Sequence, residues 1–201
     1  MSYEKVADSE LVAVVTFLEM RDSTVPEVPS SPLLLQRVEE PSTDTYRILF
    51  CKVGSRWLWF SRLVMPDADL AEILQHPQVE LFTVMDESGT DVGMLELDFR
   101  KPGECELSFV GLIPELSGRG HGRWLLAEAV NRAWRGGVQR VHVHTCTLDH
   151  PAALSAYQRI GFRPCRRAIE RFPDPRLLGI LPRDCAPQVP LLGTEGAPPA
   201  A

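Results

Sequence analysis

Apolar and polar residues alternate with a period of two along three stretches that begin at residue 79. Such alternation is typical of strands with one buried face. The short polar segments 86–89 and 101–104 separate the stretches, and turns of this length join antiparallel neighbours. The pattern therefore predicts an antiparallel meander with strands at 79–85, 92–99 and 105–112.

Helices are predicted where apolar residues recur at helical spacing or where capping residues bound a segment. The clearest covers residues 122–134, where Leu126 and Val130 share one face. Pro151 and Gly161 suit the first position and the C-terminal end of a later helix, with a histidine before it as the cap. The predicted helices are 44–53, 67–74, 122–134 and 151–160, and further strands are predicted at 11–20, 138–145 and 163–172.

The order of these elements predicts the fold class. It indicates an α/β (α+β) fold, in which a mixed and mostly antiparallel sheet has helices on both faces. With 201 residues, 44% of them hydrophobic, the chain is long enough for one domain with a sizeable core. We expect one domain over residues 1–172 and an irregular, proline-rich C-terminal tail over residues 173–201.

Charge is distributed unevenly along the chain, although the net charge is −6. Residues 1–118 contain 9 basic and 21 acidic side chains, whereas residues 119–176 contain 11 arginines and 4 acidic side chains. The second segment suits a polyanionic ligand, because arginine pairs well with phosphate. The acidic balance of the whole chain disfavours nucleic acid.

Near the N-terminus the apolar stretch suits neither a signal peptide nor a membrane span, so we expect a cytoplasmic protein without a membrane partner.

Cysteine and histidine are placed in ways that favour neither disulfides nor a metal site. The five cysteines are far apart, odd in number and form no CxxC pair. His142 and His144 alternate along a predicted strand and could share one face, but no third ligand accompanies them. We expect reduced thiols and no bound metal.

A glycine-rich segment joins the third strand of the meander to the following helix. Its sequence is Ser117-Gly118-Arg119-Gly120-His121-Gly122. Glycine lets the backbone approach a ligand closely, and the start of a helix offers N–H groups to an anion. A Walker loop would need Lys-Ser/Thr where this chain has Arg123-Trp124. A dinucleotide fingerprint needs a parallel βαβ unit. The segment alone predicts an anion site, with a purely conformational need for glycine as the alternative.

Two segments of the chain resemble the GNAT superfamily of N-acetyltransferases. The acyl-CoA loop of that family reads Gln/Arg-x-x-Gly-x-Gly/Ala, and residues 117–122 match it except at Ser117. A later family segment, Asn-x-x-Ala-x-x-x-Tyr-x-x-x-Gly-Phe, matches residues 150–162 with only the asparagine changed, to His150. The resemblance covers residues 10–172 in element order, and the two motifs together are more specific than either alone.

The resemblance implies a GNAT fold and an acyltransferase that moves acetyl from acetyl-CoA, its co-substrate, to a primary amine of a small molecule or peptide. Transfer would be direct, without a covalent enzyme intermediate. The segments 145–151 and Trp57-x-Trp59 resemble a bacterial subgroup whose acceptor is not settled. The alternative is a catalytically degenerate acyl-CoA-binding domain that acts as a sensor or interaction module, suggested by the changes at Ser117 and His150. A homodimer is left open.

The resemblance also assigns catalytic residues. Glu106 lies eleven residues before the loop, where family members often have a glutamate base. A solvent-facing strand carboxylate is the alternative for Glu106, and Glu96 and Asp98 are rival bases. Tyr157 matches the family tyrosine whose hydroxyl lies near the coenzyme sulfur, which makes it the candidate acid. A core aromatic is the alternative for Tyr157.

Coenzyme and acceptor sites follow from the same resemblance. The backbone of residues 111–113 would pair with the pantetheine arm. The acceptor would bind between the helices of residues 44–74 and the meander. The candidate coenzyme-binding residues are Gly111, Leu112, Ile113, Ser117, Gly118, Arg119, Gly120, His121, Gly122, Arg123, His150, Ala153 and Tyr157. The candidate acceptor-site residues are Glu19, Tyr46, Trp57, Trp59, Phe60 and Arg62.

Overall fold

The computed structural model describes residues 2–192, which form one mixed sheet with flanking helices. The strands are β1 Glu10–Met20, β2 Leu34–Arg37, β3 Val79–Met85, β4 Asp91–Asp98, β5 Glu104–Leu112, β6 Arg140–Cys146 and β7 Arg163–Pro173. The helices are α1 Thr43–Gly54, α2 Ser61–Val64, α3 Asp67–Leu74, α4 His121–Ala133 and α5 Ala153–Arg159, with 3-10 turns at Ser55–Trp57 and Pro114–Leu116.

The sheet has seven strands in the order β2-β3-β4-β5-β6-β1-β7. Every neighbouring pair is antiparallel except β5 and β6, which run parallel. Helices cover both faces: Leu95 and Leu97 of β4 belong to the core that includes α4, while Met94 packs with α1 and α3. The predicted fold class and the predicted meander β3–β5 are therefore confirmed.

Helix α1 forms because its sequence supplies both a cap and an apolar stripe. Ser42 is the N-cap, and its hydroxyl oxygen accepts the backbone N–H of Thr45 at 3.2 Å. The buried face repeats at the helical interval and packs against β3 and β4. Its buried side chains are Tyr46, Leu49, Phe50 and Val53.

Several features differ from the sequence-based expectations or go beyond them, among them the short helix α2, which was not predicted. β2 was not predicted, because a four-residue edge strand with mostly exposed side chains shows no apolar alternation. β1 was predicted as a strand, but its place between β6 and β7 was not. Helix α5 begins at Ala153 rather than at 151, since Pro151 and Ala152 form a turn in which the Ala152 N–H donates to His150 Nδ1 at 3.1 Å.

The segment after β7 is held by a buried ion pair. Arg176 donates to Asp174 at 2.6 Å, and both side chains are almost fully buried. Leu181 and Ala186 pack against Leu58 beyond α1. Within residues 174–192 the chain forms turns and contains neither helix nor strand, while the end of the predicted tail, 193–201, lies outside the described residues. Among residues 2–192, no helix has the length and apolar character needed to cross a membrane.

Candidate active site

The site is a cleft that opens where β5 and β6 separate. In the described chain the two strands pair only from Glu104–Arg140 to Glu106–His142, and the rest of β5 pairs with β4 alone. Backbone N–H and C=O groups on the open side of β5 are therefore available to a ligand. The cleft between the two strands has a volume of about 1100 Å³.

A β-bulge shapes the β5 wall of this cleft. Leu97 of β4 pairs with Leu107, and its neighbour Glu96 pairs with Phe109. Ser108 is consequently an extra residue that interrupts the ladder. The bulge changes which side chains of β5 face α1, and it brings Phe109 against the aromatic rings beneath that helix.

The sequence predicts that three consecutive residues past the bulge, Gly111, Leu112 and Ile113, hold the coenzyme arm. Gly111 and Leu112 line the cleft, and Gly111 has no room for a side chain because an added Cβ would lie 2.8 Å from Val53 Cγ1. Ile113 differs. Its N–H donates to the Val92 carbonyl at 2.9 Å, and the residue does not line the cleft.

The glycine-rich loop forms the opposite end of the cleft. Gly118 and Gly120 have φ values of 76° and 85°, a left-handed conformation that favours glycine. Gly120 is the N-cap of α4, and no side chain caps that helix, so its first N–H groups face outward. Gly122 and Arg123 also line the cleft, whereas the side chains of Arg119 and His121 lie outside it.

Tyr157 of α5 lines the same cleft from below the loop. Its ring is buried and meets Phe162 edge-on, with ring centroids 5.8 Å apart. Within the described chain its hydroxyl has no hydrogen-bond partner. Every fully buried side-chain oxygen of the described residues does have a partner, so the Tyr157 hydroxyl is not fully buried and is open to the cleft. Burial, with a smaller contribution from Asp149, raises the pKa of this phenol well above its usual value. Tyr157 is therefore protonated at neutral pH.

Glu106 and His144 form a pair at the head of the cleft. Glu106 Oε1 lies 3.7 Å from His144 Nδ1. The interaction with His144 lowers the pKa of Glu106, and the interaction with Glu106 raises the pKa of His144. His144 lines the cleft, whereas Glu106 stands behind it. The sequence singles out His144 only as a metal-ligand candidate.

The two rival carboxylates lie in structural ion pairs outside the cleft. Glu96 is fully buried, accepts the Tyr46 hydroxyl at 2.5 Å and pairs with Arg62 at 2.6 Å. Asp98 pairs with Arg100 at 2.6 Å. None of these side chains lines the cleft, so Tyr46 and Arg62 are not part of an acceptor site there.

Aromatic side chains surround the mouth of the cleft. Three of the candidate acceptor-site residues, Trp57, Trp59 and Phe60, line the cleft. Phe60 contacts Phe172 of β7, with ring centroids 5.1 Å apart. Glu19, the remaining acceptor candidate, does not line the cleft because it is paired with arginines on the sheet.

Two segments that are distant in sequence meet at this mouth. Trp57 packs edge-on against His150, with ring centroids 5.1 Å apart, and Trp59 Nε1 donates to Asp149 Oδ1 at 3.1 Å. The α1–α2 connection is thereby tied to the loop between β6 and α5.

Asp149 is expected to be the main structural support of this junction. Besides Trp59, it accepts the Thr145 hydroxyl and the Cys146 N–H, both at 2.8 Å. Asp149→Ala leaves these donors without an acceptor and should lower the free energy of unfolding by about 1–3 kcal/mol in urea titration. Asp149→Asn keeps one acceptor oxygen and should lose less. Equal losses would show that the hydrogen bonds do not support the junction.

No metal site is evident among residues 2–192, where no group of three His, Cys, Asp or Glu side chains could hold an ion. His142 lies 3.4 Å from Glu104, while His144 faces Glu106. The two histidines thus contact different carboxylates.

Comparisons with known proteins agree with the fold. Residues 52–162 match the model of the Acetyltransferase (GNAT) family. This match covers more than half of the chain, and the protein therefore belongs to the GNAT acetyltransferase family.

One curated relative is the N-alpha-acetyltransferase RimI of Mycobacterium tuberculosis, with 41% identity over 71 residues. The matched segment spans 35% of this chain and 42% of that relative. A GCN5-related N-acetyltransferase from Sphaerobacter thermophilus superposes with a TM-score of 0.60 at 20% identity, over 81% of this chain and 52% of the other. A GNAT-family protein from Novosphingobium aromaticivorans gives 0.56 at 19% identity, over 83% and 68%. At these identities the structures support the fold.

Proposed function

We propose that the protein transfers the acetyl group of acetyl-CoA directly to a primary amine. The observation that carries the proposal is the cleft between β5 and β6, which has an uncapped helix N-terminus at one end and the Tyr157 hydroxyl inside. An anion-binding end and a proton donor in one cleft suit a thioester attached to a pyrophosphate.

The residues around the cleft fit acetyl-CoA, which would supply the activated acyl group. The N–H groups at the start of α4 and the guanidinium of Arg123 would hold the pyrophosphate. Ser117 offers a shorter polar side chain than the Gln or Arg of the family motif. Of these three residues, Leu112 would offer its backbone N–H and C=O to the pantetheine arm, because its groups alternate with those of Gly111 and Ile113, and the Ile113 N–H is already bonded to β4.

The chemistry needs a proton acceptor and a proton donor. An alkyl amine with a pKa near ~10.4 is mostly protonated at neutral pH and must lose a proton before it attacks. Glu106 with His144 forms the candidate accepting pair, and Tyr157 would protonate the leaving thiolate. Cys146 also lines the cleft, but burial raises its pKa to about 11, which disfavours a thiolate nucleophile and supports direct transfer.

The acceptor we propose is a small molecule or a peptide with a primary amine. The partial similarity to an N-alpha-acetyltransferase favours a peptide α-amino group. The carboxylate of Glu170 lies in the lining of the aromatic mouth, where it would attract an ammonium group. Neither nucleic acid nor a metal ion is needed for this chemistry.

Steady-state release of free thiol tests the proposal. Purified protein should release thiol from acetyl-CoA only when a suitable amine is added, and the mass of that amine should rise by one acetyl group. The panel should contain peptides with free α-amino groups, lysine peptides and polyamines. Tight acetyl-CoA binding without turnover of any amine would instead favour the acyl-CoA sensor.

Gly122→Val is expected to weaken acetyl-CoA binding at least about tenfold by blocking close backbone approach. No protein atom lies within 4 Å of a Cβ built at Gly122, and its φ is not left-handed, so the fold should tolerate the change. Gly120 is a poorer probe because its φ of 85° strains any substitution. Titration calorimetry should measure the acetyl-CoA affinity of Gly122→Val, with Gly122→Ala as the control. Retained affinity in a folded Gly122→Val variant would contradict the assignment of the loop.

A further inference from the structure

His144 lies between Glu106 and the cleft. Its Nδ1 faces Glu106 at 3.7 Å, and the residue itself lines the cleft. Because a carboxylate beside Nδ1 favours the tautomer with the proton on that nitrogen, the lone pair of the neutral ring is on Nε2. In the described chain Nε2 of His144 has no partner. The pair thus presents an imidazole lone pair, rather than a carboxylate, to a bound ligand.

Other basic groups in the cleft suit the task less well. Asp149 already accepts three hydrogen bonds, and Nδ1 of His150 accepts the Ala152 N–H at 3.1 Å. Glu170 is an exposed carboxylate, so water is its ordinary partner. An imidazole titrates near the working pH, where proton transfer is most effective.

We propose that His144 is the group that takes the proton from the acceptor amine, and that Glu106 is a positioning residue that orients its ring. This inference rests on the proposed acetyltransferase function and changes the role of Glu106 within it. His144 lies on β6 and Glu106 on β5, and the last paired residues of the two strands, Glu106 and His142, hold them side by side at the point where the cleft begins.

The proton transfers balance as follows. The bound ammonium loses one proton to Nε2 of His144, which passes it to solvent. The neutral amine then forms the C–N bond to the acetyl carbon, the C–S bond breaks, and the thiolate takes the proton of Tyr157. The acylated nitrogen loses its second proton through the same Nε2, and Tyr157 regains one from solvent. One proton is released in each turnover.

The charges around His144 agree with this role. Glu106 on β5, Asp149 in the β6–α5 loop and Glu170 on β7 all raise its pKa, while partial burial opposes them. On β1 the neighbour is the uncharged ring of Phe17, with ring centroids 5.8 Å apart. A raised folded-state pKa means that His144 is protonated at low pH and becomes a base only as the pH rises through that pKa. The kcat should therefore increase with pH over this range.

The test is the pH profile of kcat for His144→Gln and Glu106→Gln, with the amine of the panel that wild type acetylates fastest. His144→Gln should lower kcat by about 10²–10⁴-fold and abolish the acidic limb of the profile. Glu106→Gln should retain most of the activity but shift the acidic limb to lower pH, because the carboxylate that raises the pKa of His144 is gone. The imidazole titration of His144, followed by NMR, should shift in the same direction.

His142→Gln is the matched control. His142 lies two residues away on the same strand, has Glu104 as its nearest carboxylate and does not line the cleft, so its replacement should keep kcat and the acidic limb, with no more than a small shift through its electrostatic interaction with Glu106. If His144→Gln keeps the wild-type kcat and the acidic limb of its pH profile, the role of His144 is overturned while the proposed acetyltransferase function stands. If Glu106→Gln loses both the acidic limb and the activity, the assignment of Glu106 as a positioning residue is also overturned. Absence of turnover by wild type would instead contradict the proposed function.

Discussion

Tyr157→Phe is expected to lower kcat by about 10²-fold while acetyl-CoA affinity stays almost unchanged. The reason is that the phenol is buried, stays protonated at neutral pH and has its hydroxyl open to the cleft, so it can protonate the leaving thiolate. Phenylalanine keeps the ring and its contact with Phe162 but removes the proton. Initial-rate kinetics and titration calorimetry on the same preparation separate the two effects.

Tyr3→Phe is a suitable control for this prediction, because it makes the same chemical change at a residue that is 94% exposed. Its kcat should equal that of wild type. A Tyr157→Phe variant with unchanged kcat would remove Tyr157 from the mechanism and leave it as a core aromatic. Loss of coenzyme affinity with kcat retained would assign it to binding instead.

Arg62→Met is expected to lower the free energy of unfolding by about 3–5 kcal/mol. Glu96 is fully buried and pairs with Arg62 at 2.6 Å, so the substitution leaves a buried carboxylate with only the Tyr46 hydroxyl as donor. Methionine fills a similar volume, which limits the loss of packing. Urea denaturation gives the free energy, with the midpoint and slope compared between variants.

Arg100→Met is the control, since the Arg100–Asp98 pair is partly exposed and its loss should cost no more than about 1 kcal/mol. Combining Arg62→Met with Glu96→Gln removes the unpaired charge and should recover part of the stability. Equal costs for Arg62→Met and Arg100→Met, or no recovery in the double variant, would show that the Glu96 pair is not a main support of this core.

Much of the fold can be predicted from local patterns. Alternation from residue 79 onward specified β3, β4 and β5, because one buried face per strand leaves a period of two in the sequence. The neighbours of β1 could not be predicted in this way. Its alternation shows that it is a strand, but its pairing with β6 and β7 depends on contacts more than a hundred residues away. The four-residue β2 is too short for any pattern.

The same distinction between local patterns and long-range contacts applies to the candidate site. The glycine loop and the Tyr157 segment are contiguous motifs, so the sequence indicates them directly. Pairs such as Glu106–His144 and Trp59–Asp149 join separate elements, and strand alternation gives only the face of a residue and not its neighbour. For the same reason the sequence could not separate Glu96, which is buried against Arg62, from a carboxylate near the cleft.

A crystal structure with coenzyme A bound tests the central claim most directly. The pyrophosphate is expected at the N-terminus of α4 beside Gly120 and Gly122, and the pantetheine arm along Gly111 and Leu112. The sulfur should lie within hydrogen-bonding reach of the Tyr157 hydroxyl. Coenzyme bound elsewhere, or bound in the cleft with its sulfur far from Tyr157, would contradict the proposed acetyltransferase site.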